Sequence, residues 1–247
     1  MRRFLVVFFK ITFAARWALA DQSSFAAFLA QPPTTVTATA DAFPYHMSDL
    51  AASSSRPDAQ SRPRLVGPIV QPPRPNDCTY WVTDSLLAGE YPTDARGEEE
   101  TRTKIQGYLD QGVTFFLDLT ERGEKGDYDA IVVEEAAKRG MGDVAIRHRR
   151  LQVPDFGVPN VEKMKSILNT IDRAIELGHK VYVHCRGGIG RTGTTVGCYF
   201  VRNGNGGQEA LDEVNRLFKC SDRSKQSSRS PETAEQEDFI RSWNVGS

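Results

Sequence analysis

The chain has 247 residues with 31 Lys and Arg against 32 Asp and Glu, a length that holds one domain of up to about 250 residues or a smaller domain with an appendage. The formal net charge of −1 is unevenly spread: residues 1 to 75 carry eight basic residues against four Asp, leaving 23 basic against 28 acidic in the rest. That acidic balance argues against sequence-independent nucleic-acid binding, which needs clustered positive charge, and four cysteines with no Cys-x-x-Cys spacing read neither as a disulfide framework nor as a zinc or thioredoxin-like pair.

Nine of the 13 prolines fall at or before Pro75, with clusters such as Ser53-Ser54-Ser55 and no apolar periodicity, so residues 1–75 are expected as a disordered extension and residues 76–247 as one domain of roughly 170 residues. Met1 to Ala20 is basic and apolar with no acid before Asp21. Its composition suits an organellar transit peptide (plastid or mitochondrion) better than a secretory signal, because Lys10 and Arg16 interrupt the apolar stretch. The longest apolar run is six residues, Phe4 to Phe9, against the ~18 a membrane span needs, so no transmembrane segment is expected.

In the domain, Tyr80 to Thr83 and Leu86 to Ala88 predict short strands, and Glu98 to Gln111 a polar helix ending at Gly112. Val113 to Leu119, apolar on both faces, predicts a central strand. Tyr128 to Arg139 predicts a helix, and Ile146 to Arg150 a strand whose Arg147, Arg149 and Arg150 read as a solvated edge, with recruitment of an acidic or phosphorylated substrate as the alternative. Val161, Met164, Ile167, Leu168, Ile171, Ala174 and Ile175 recur at helical spacing behind Asn160, a capping residue, and predict an amphipathic helix stopped by Gly178. A buried strand, Val181 to His184, precedes a helix from about Arg191 to Arg202. Ala210, Leu211, Val214, Leu217 and Phe218 mark another helix, and Ser230 before Pro231 reads as cap and first turn of the last one, with Phe239, Ile240 and Trp243 inward. Alternating strands and helices predict an α/β domain: a mostly parallel central sheet flanked by helices on both faces.

The segment Val181 to Thr194 reads VYVHCRGGIGRTGT. A buried strand ends in Cys185; Gly187, Gly188 and Gly190 let the backbone turn its N–H groups together; a helix begins at once and adds its positive end. Arg191, six residues after the thiol, can return to the same point and grip two phosphate oxygens bidentately. The same field favours the thiolate of Cys185, the nucleophilic form. Gly188 to Gly193 also matches the G-x-G-x-x-G dinucleotide fingerprint, but the acidic residue that should end a second strand, Glu209, lies in a helical pattern.

His184-Cys185-Arg186-Gly187-Gly188-Ile189-Gly190-Arg191-Thr192-Gly193 resembles the signature loop of the protein tyrosine and dual-specificity phosphatase superfamily, and within it the small type of bacteria and plants. Leu87 to Pro92, Phe116 to Thr120 and Ser230 to Thr233 with Gln236 resemble the same group. The resemblance implies the cysteine-phosphatase fold and a two-step hydrolysis of phosphomonoesters that needs no metal or other cofactor. Cys185 would take the phosphoryl group, while Arg191 and the loop from Arg186 through Gly187, Gly188, Ile189 and Gly190 hold its oxygens. Asp155, in Pro154-Asp155-Phe156-Gly157, would protonate the leaving oxygen and then activate water. It resembles the family's acid loop with Val153 in place of the usual Trp. Thr192 would offer a hydroxyl to the Cys185 sulfur, His184 would orient the loop, and Gln236 would position the attacking water, a solvent-exposed helical Gln being the alternative. Cys198 reads as a core residue, with pairing to Cys185 under oxidation as the alternative, and Cys78 and Cys220 show no partner.

The expected partner is a phosphorylated protein, carrying phosphotyrosine or also phosphoserine and phosphothreonine, since no segment is evident that would build a deep phosphotyrosine-selecting wall. Two alternatives stay open. A phosphoinositide phosphatase tends to place two basic residues in the loop, where this chain has Arg186 but Ile189; a non-catalytic phosphate-binding module usually lacks the thiol or the acid. The reactive thiol argues for an intracellular, reducing location.

Overall fold

A computed structural model of the chain describes residues 64–141 and 146–244; the expected targeting segment lies outside the described residues. The elements are β1 (Thr79–Thr83), β2 (Leu86–Gly89), α1 (Glu98–Asp110), β3 (Val113–Asp118), α2 (Asp129–Lys138), β4 (Arg147–Arg150), α3 (Val161–Glu176), β5 (Lys180–His184), α4 (Gly190–Arg202), α5 (Gly207–Phe218) and α6 (Ala234–Ser242), with a short 3-10 turn at Asp222–Lys225. They form one five-stranded sheet in the order β1-β2-β5-β3-β4, antiparallel only between β1 and β2. The mostly parallel α/β fold expected from the sequence is therefore the fold observed. The centre belongs to β5, and β3 is an interior strand between β5 and β4.

Alternation along the strands builds two apolar layers. Leu86, Ala88, Phe115, Leu117, Val181 and Val183 face α3, α4, α5 and α6, where Met164, Ile167, Ile171, Phe200, Val214 and Ile240 are fully buried. The intervening Leu87, Phe116 and Tyr182 face α1 and α2 and pack on Ile105, Tyr108 and Val132. Each Val, Leu, Ile, Phe or Met side chain among these contributes about 1.5–3 kcal/mol on full burial. The helix α3 starts where the sequence places it: the Asn160 side chain accepts from Lys163 N at 2.8 Å, and Met164, Ile167, Leu168, Ile171 and Ala174 of the predicted stripe are buried, whereas Val161 at its start is exposed.

Two boundaries differ from the sequence reading. The last helix begins at Ala234, not at Pro231, because Thr233 is its cap and exchanges reciprocal bonds with Gln236. Ser230 is occupied elsewhere, donating its hydroxyl to the Ile189 carbonyl at 2.8 Å. Residues 64–75, assigned by composition to the extension, lie against the domain. Leu65 N donates to Asn205 Oδ1, Gly67 N to Glu213 Oε1, and Trp81 Nε1 to the Pro73 carbonyl. This strap is fastened by hydrogen bonds, those of the Gln71 and Arg74 side chains to Trp81 and Thr79 included, which leave no apolar period in the sequence. All four cysteines are free, and Cys198 is buried in the core, where burial pushes its thiol well up.

The parallel strands β3, β4 and β5 all end on the same edge, so Asp118, the segment after Arg150 and Cys185 are delivered to one place, the crevice in which α/β sheets carry their sites. Helices α5 and α6 support that edge from behind at close quarters: a Cβ on Gly207 would stand 2.6 Å from Cα and O of Arg241. Those are backbone atoms that cannot rotate away. Gly207→Ala is expected to lower unfolding free energy by about 1–3 kcal/mol, read as a shifted urea midpoint with an unchanged m value; an unshifted midpoint would count against this packing.

Candidate active site

The segment between β5 and α4 is shaped by bonds to its carbonyls. Leu119 N donates to His184 O at 2.9 Å and Tyr91 N to Arg186 O at 3.1 Å. Arg223 Nε donates to Gly187 O at 3.0 Å, Ser230 Oγ to Ile189 O at 2.8 Å, and Thr194 Oγ1 to Gly190 O at 2.9 Å. A peptide whose carbonyl is drawn towards the scaffold turns its N–H the other way, which is how a backbone nest for an anion is made. Gly188 has φ of +70°, and a Cβ there would lie 2.4 Å from Gly89 C and 2.6 Å from Glu90 N, so only glycine fits. The Leu87-to-Pro92 stretch therefore earns its place as the floor under the loop, and Tyr182 holds it by donating to the Glu90 carbonyl.

Cys185 is buried at the start of this loop, and Arg186 projects into solvent. Arg191 is buried at its end. Its Nη1 donates to Glu124 Oε2 at 2.8 Å and to Val153 O at 3.1 Å; its Nη2 meets Glu124 Oε1 at 2.6 Å and Asp155 Oδ1 at 2.8 Å. Burial works against the guanidinium charge, but Glu124, Cys185 and Asp155 more than offset this and hold its pKa above the ordinary value. The Arg191 bonds in turn lower the pKa of Glu124. Asp155 thus reaches the loop as its sequence suggested. Glu124 was not foreseen: it lies in the charged turn Glu121-Arg122-Gly123-Glu124-Lys125, which reads as solvated until β3 is known to lie beside β5.

Two sequence expectations change. Thr192 is buried within α4, but its hydroxyl makes no hydrogen bond to Cys185 or to any other described residue. Gln236 is fully buried, not exposed, and its amide is engaged. Nε2 donates to Gly157 O at 3.0 Å, while Oε1 accepts from Glu232 N and Thr233 N at 3.1 and 3.2 Å. A Cβ on Gly190 would come within 3.0 Å of the same amide. Gln236 therefore ties the Asp155 loop, the Cys185 loop and α6 together. Among the described residues no group of three His, Cys, Asp or Glu is arranged to hold a metal ion, and no helix is long and apolar enough to cross a membrane.

Behind the loop lies a second polar layer. Asp118 is fully buried and accepts from Thr120 N and Oγ1, both at 2.7 Å, and from Arg150 Nε at 2.8 Å. Burial raises its pKa, but His148, His184 and Thr120 more than offset this and hold it well below the usual carboxylate range. Of the basic cluster at β4, Arg150 is thus turned into the site and also meets Asp127 at 3.3 Å. Tyr128, whose pKa burial raises well above 10, stands 2.6 Å from His184 Nε2. A protonated phenol donating there leaves the imidazole proton on Nδ1, 4.0 Å from Asp118 Oδ1, an assignment that follows from the partners.

Burial lowers the pKa of His184 from 6.5 to about 4, against the pull of Asp118. The unfolded chain takes up this proton as pH falls through 6.5, and the fold does so only near 4. Its contribution to stability is therefore complete above pH 6.5 and declines as pH falls towards 4, by about 2 kcal/mol between pH 7 and pH 5. Urea melts at those two pH values are expected to show a clearly smaller loss in His184→Asn than in the wild type; equal losses would rule out this source.

The comparisons agree with this geometry. The family model described as Swiss Army Knife protein, DSP-PTPase phosphatase domain, matches residues 77–240. The mouse protein tyrosine phosphatase domain-containing protein 1 is 28% identical over 125 residues, which are 49% of this chain and 16% of that protein. Tyrosine-protein phosphatase CDC14 of Saccharomyces cerevisiae is 31% identical over 64 residues, 26% of this chain and 12% of that one. The chain thus spans a small part of these relatives. Among solved structures, Tk-PTP in its active form superposes with a TM-score of 0.50 at 23% identity, covering 66% of this chain and 94% of that one. Pseudomonas aeruginosa TpbA gives 0.50 at 20%, covering 71% and 91%; both show a shared fold. With the family model covering most of the described residues, and Cys185 and Arg191 closing one loop on the carboxyl edge of the sheet, the chain belongs to the protein tyrosine and dual-specificity phosphatase superfamily, as a domain of the dual-specificity type.

Proposed function

We propose that the chain hydrolyses phosphomonoesters on proteins through a cysteinyl-phosphate intermediate, with the domain responsible in residues 76–247 and the strap from Arg64 packed on it. The Cys185 thiolate attacks phosphorus as the ester P–O bond breaks, and Asp155 gives its proton to the leaving oxygen. Water then attacks the phosphocysteine, losing its proton to Asp155; the S–P bond breaks, and inorganic phosphate and the thiolate are released. Arg191 and the N–H groups from Arg186 to Arg191 hold the three transferring oxygens, where charge stabilisation matters most.

The observation that supports this reading is the 2.8 Å pair between Arg191 and Asp155: one cation brings together the acid and the end of the thiol's own loop, 36 residues apart in sequence. Glu124 keeps that cation aimed by a two-bond grip. Gln236, bound to Gly157, serves to seat the acid loop, and His184 orients the loop from behind. The water-positioning role anticipated for Gln236 would fall to the second N–H of its amide, the first being donated to Gly157.

The test is turnover of an aryl phosphate, a panel of phosphotyrosine, phosphoserine and phosphothreonine peptides, and phosphoinositides, in reductant and chelator. Cys185→Ser is expected to abolish turnover, and Asp155→Ala to lower kcat about a hundredfold on the peptides. Preference for phosphoinositides would replace protein phosphoesters as substrate. A folded wild-type chain that binds phosphopeptides without turnover would overturn the proposal in favour of a binding module.

A further inference from the structure

Arg223 lies outside the signature loop, in the 3-10 turn Asp222–Lys225 between α5 and α6, yet its side chain reaches into the back of the loop. Nε donates to Gly187 O at 3.0 Å. The guanidinium is so close that a Cβ on Gly187 would stand 3.0 Å from its Nη2. Nη1 lies 3.7 Å from Glu90 Oε2, and Glu90 Oε1 is bound by Lys104 Nζ at 2.7 Å. The turn does not need this side chain to hold its shape. Ser221 Oγ accepts from Arg223 N at 3.3 Å, and Arg223 O accepts from Gln226 N and Ser227 N at 3.0 and 3.1 Å.

The Gly187 carbonyl and the Gly188 N–H belong to one peptide group. A cation on the oxygen draws electron density from the nitrogen and makes its N–H a stronger donor, an effect that grows where the local dielectric is low. The scaffold also holds this peptide from the other side, since Gly188 is wedged at positive φ against Gly89 and Glu90. Lysine could place a charge here, but not the directed Nε–H of a guanidinium braced at its far end by a carboxylate.

We propose that Arg223 is a positioning residue of the phosphate site: docked on the Gly187 carbonyl, it fixes and polarises the Gly187–Gly188 peptide so that its N–H binds a phosphoryl oxygen. The inference rests on reading the loop as a phosphate cradle. The ground state and the transition state both present oxygen to that N–H, so the effect falls mainly on binding, on KM more than on kcat.

The experiment uses the full chain as wild type, Arg223→Gln, Arg223→Lys and Lys225→Gln. The last removes an equal charge two residues away, from a 72% exposed side chain paired with Asp222 at 2.8 Å. Tungstate, a tetrahedral dianion, is titrated by calorimetry, kcat and KM are measured on an aryl phosphate, and folding is followed in urea. Arg223→Gln is expected to weaken tungstate binding and raise KM about five- to tenfold, with a smaller change in kcat; Arg223→Lys should fall between it and the wild type, and Lys225→Gln should match the wild type. Wild-type tungstate affinity in a folded Arg223→Gln, or an equal loss in Lys225→Gln, would overturn the proposal. If Arg223→Gln does not fold, Arg223→Lys decides: weaker binding with an intact urea transition supports the role, and unchanged binding ends it. A wild type that neither binds tungstate nor turns over the ester removes the cradle reading itself, whereas a competent wild type with an indifferent Arg223 removes only this inference.

Discussion

A loop that gathers its N–H groups on one side must send its carbonyls to the other, and each of those carbonyls needs a donor where water is scarce. This demand organises the whole carboxyl edge of the sheet. Donors arrive from five places: Leu119 after β3, Tyr91 after β2, Arg223 in the 3-10 turn, Ser230 before α6 and Thr194 in α4. Segments separated by more than a hundred residues are thereby committed to a loop of seven. The cost of a slip is concentrated at Gly188, where the floor formed by Gly89 and Glu90 leaves no room for a side chain.

Charge follows the same logic. A guanidinium as buried as Arg191 is costly unless paired and fully hydrogen-bonded, and Glu124, Asp155 and Val153 O supply that pairing. The result is a cation whose orientation is set by the two-bond grip of Glu124. Deeper still, Asp118 balances Arg150 and faces His184. Burial keeps that imidazole neutral near pH 7. The basic cluster of β4 is thus divided in role: Arg150 completes the buried layer, which a reading of the strand as a uniformly solvated edge misses.

What the sequence reveals depends on whether a residue's role is local. Cys185, the glycines and Arg191 sit within one short segment whose chemistry is legible in order, and Asn160 with the stripe behind it marks α3 without tertiary help. Ser230-Pro231 imitates a helix start because cap residues are chosen for short hydrogen-bonding side chains, and the bond Ser230 makes is to Ile189, 41 residues away. Gln236 looks like any polar residue on a surface helix until its partners Gly157 and Gly190 are known. Glu124 and Arg223 are hidden for the same reason: each is one charge among several in a polar segment, and topology alone selects which one reaches the loop. Residues 64–75 carry no periodicity because hydrogen bonds fasten them, from the main chain to Asn205, Glu213 and Arg216 and from the Gln71 and Arg74 side chains to the main chain of Trp81 and Thr79.

The placement of Asp155 adds a constraint on the proposed chemistry. Its carboxylate occupies Arg191 Nη2, and the bonds described for this guanidinium fall on Nη1 and Nη2, with Glu124 on both. A phosphoryl group gripped in bidentate fashion would need Nε and one of these nitrogens. Glu124, held by two bonds, is the harder partner to displace, so in the proposed chemistry Asp155 would be the one to yield. Yielding would free its carboxyl from the cation to turn towards the ester oxygen, where the proposed chemistry wants an acid. Gln236 holds Gly157, two residues on, by its carbonyl, so the exchange would fall on the short turn between Pro154 and Gly157. On this account substrate binding and acid placement are one step, driven by competition for a single guanidinium.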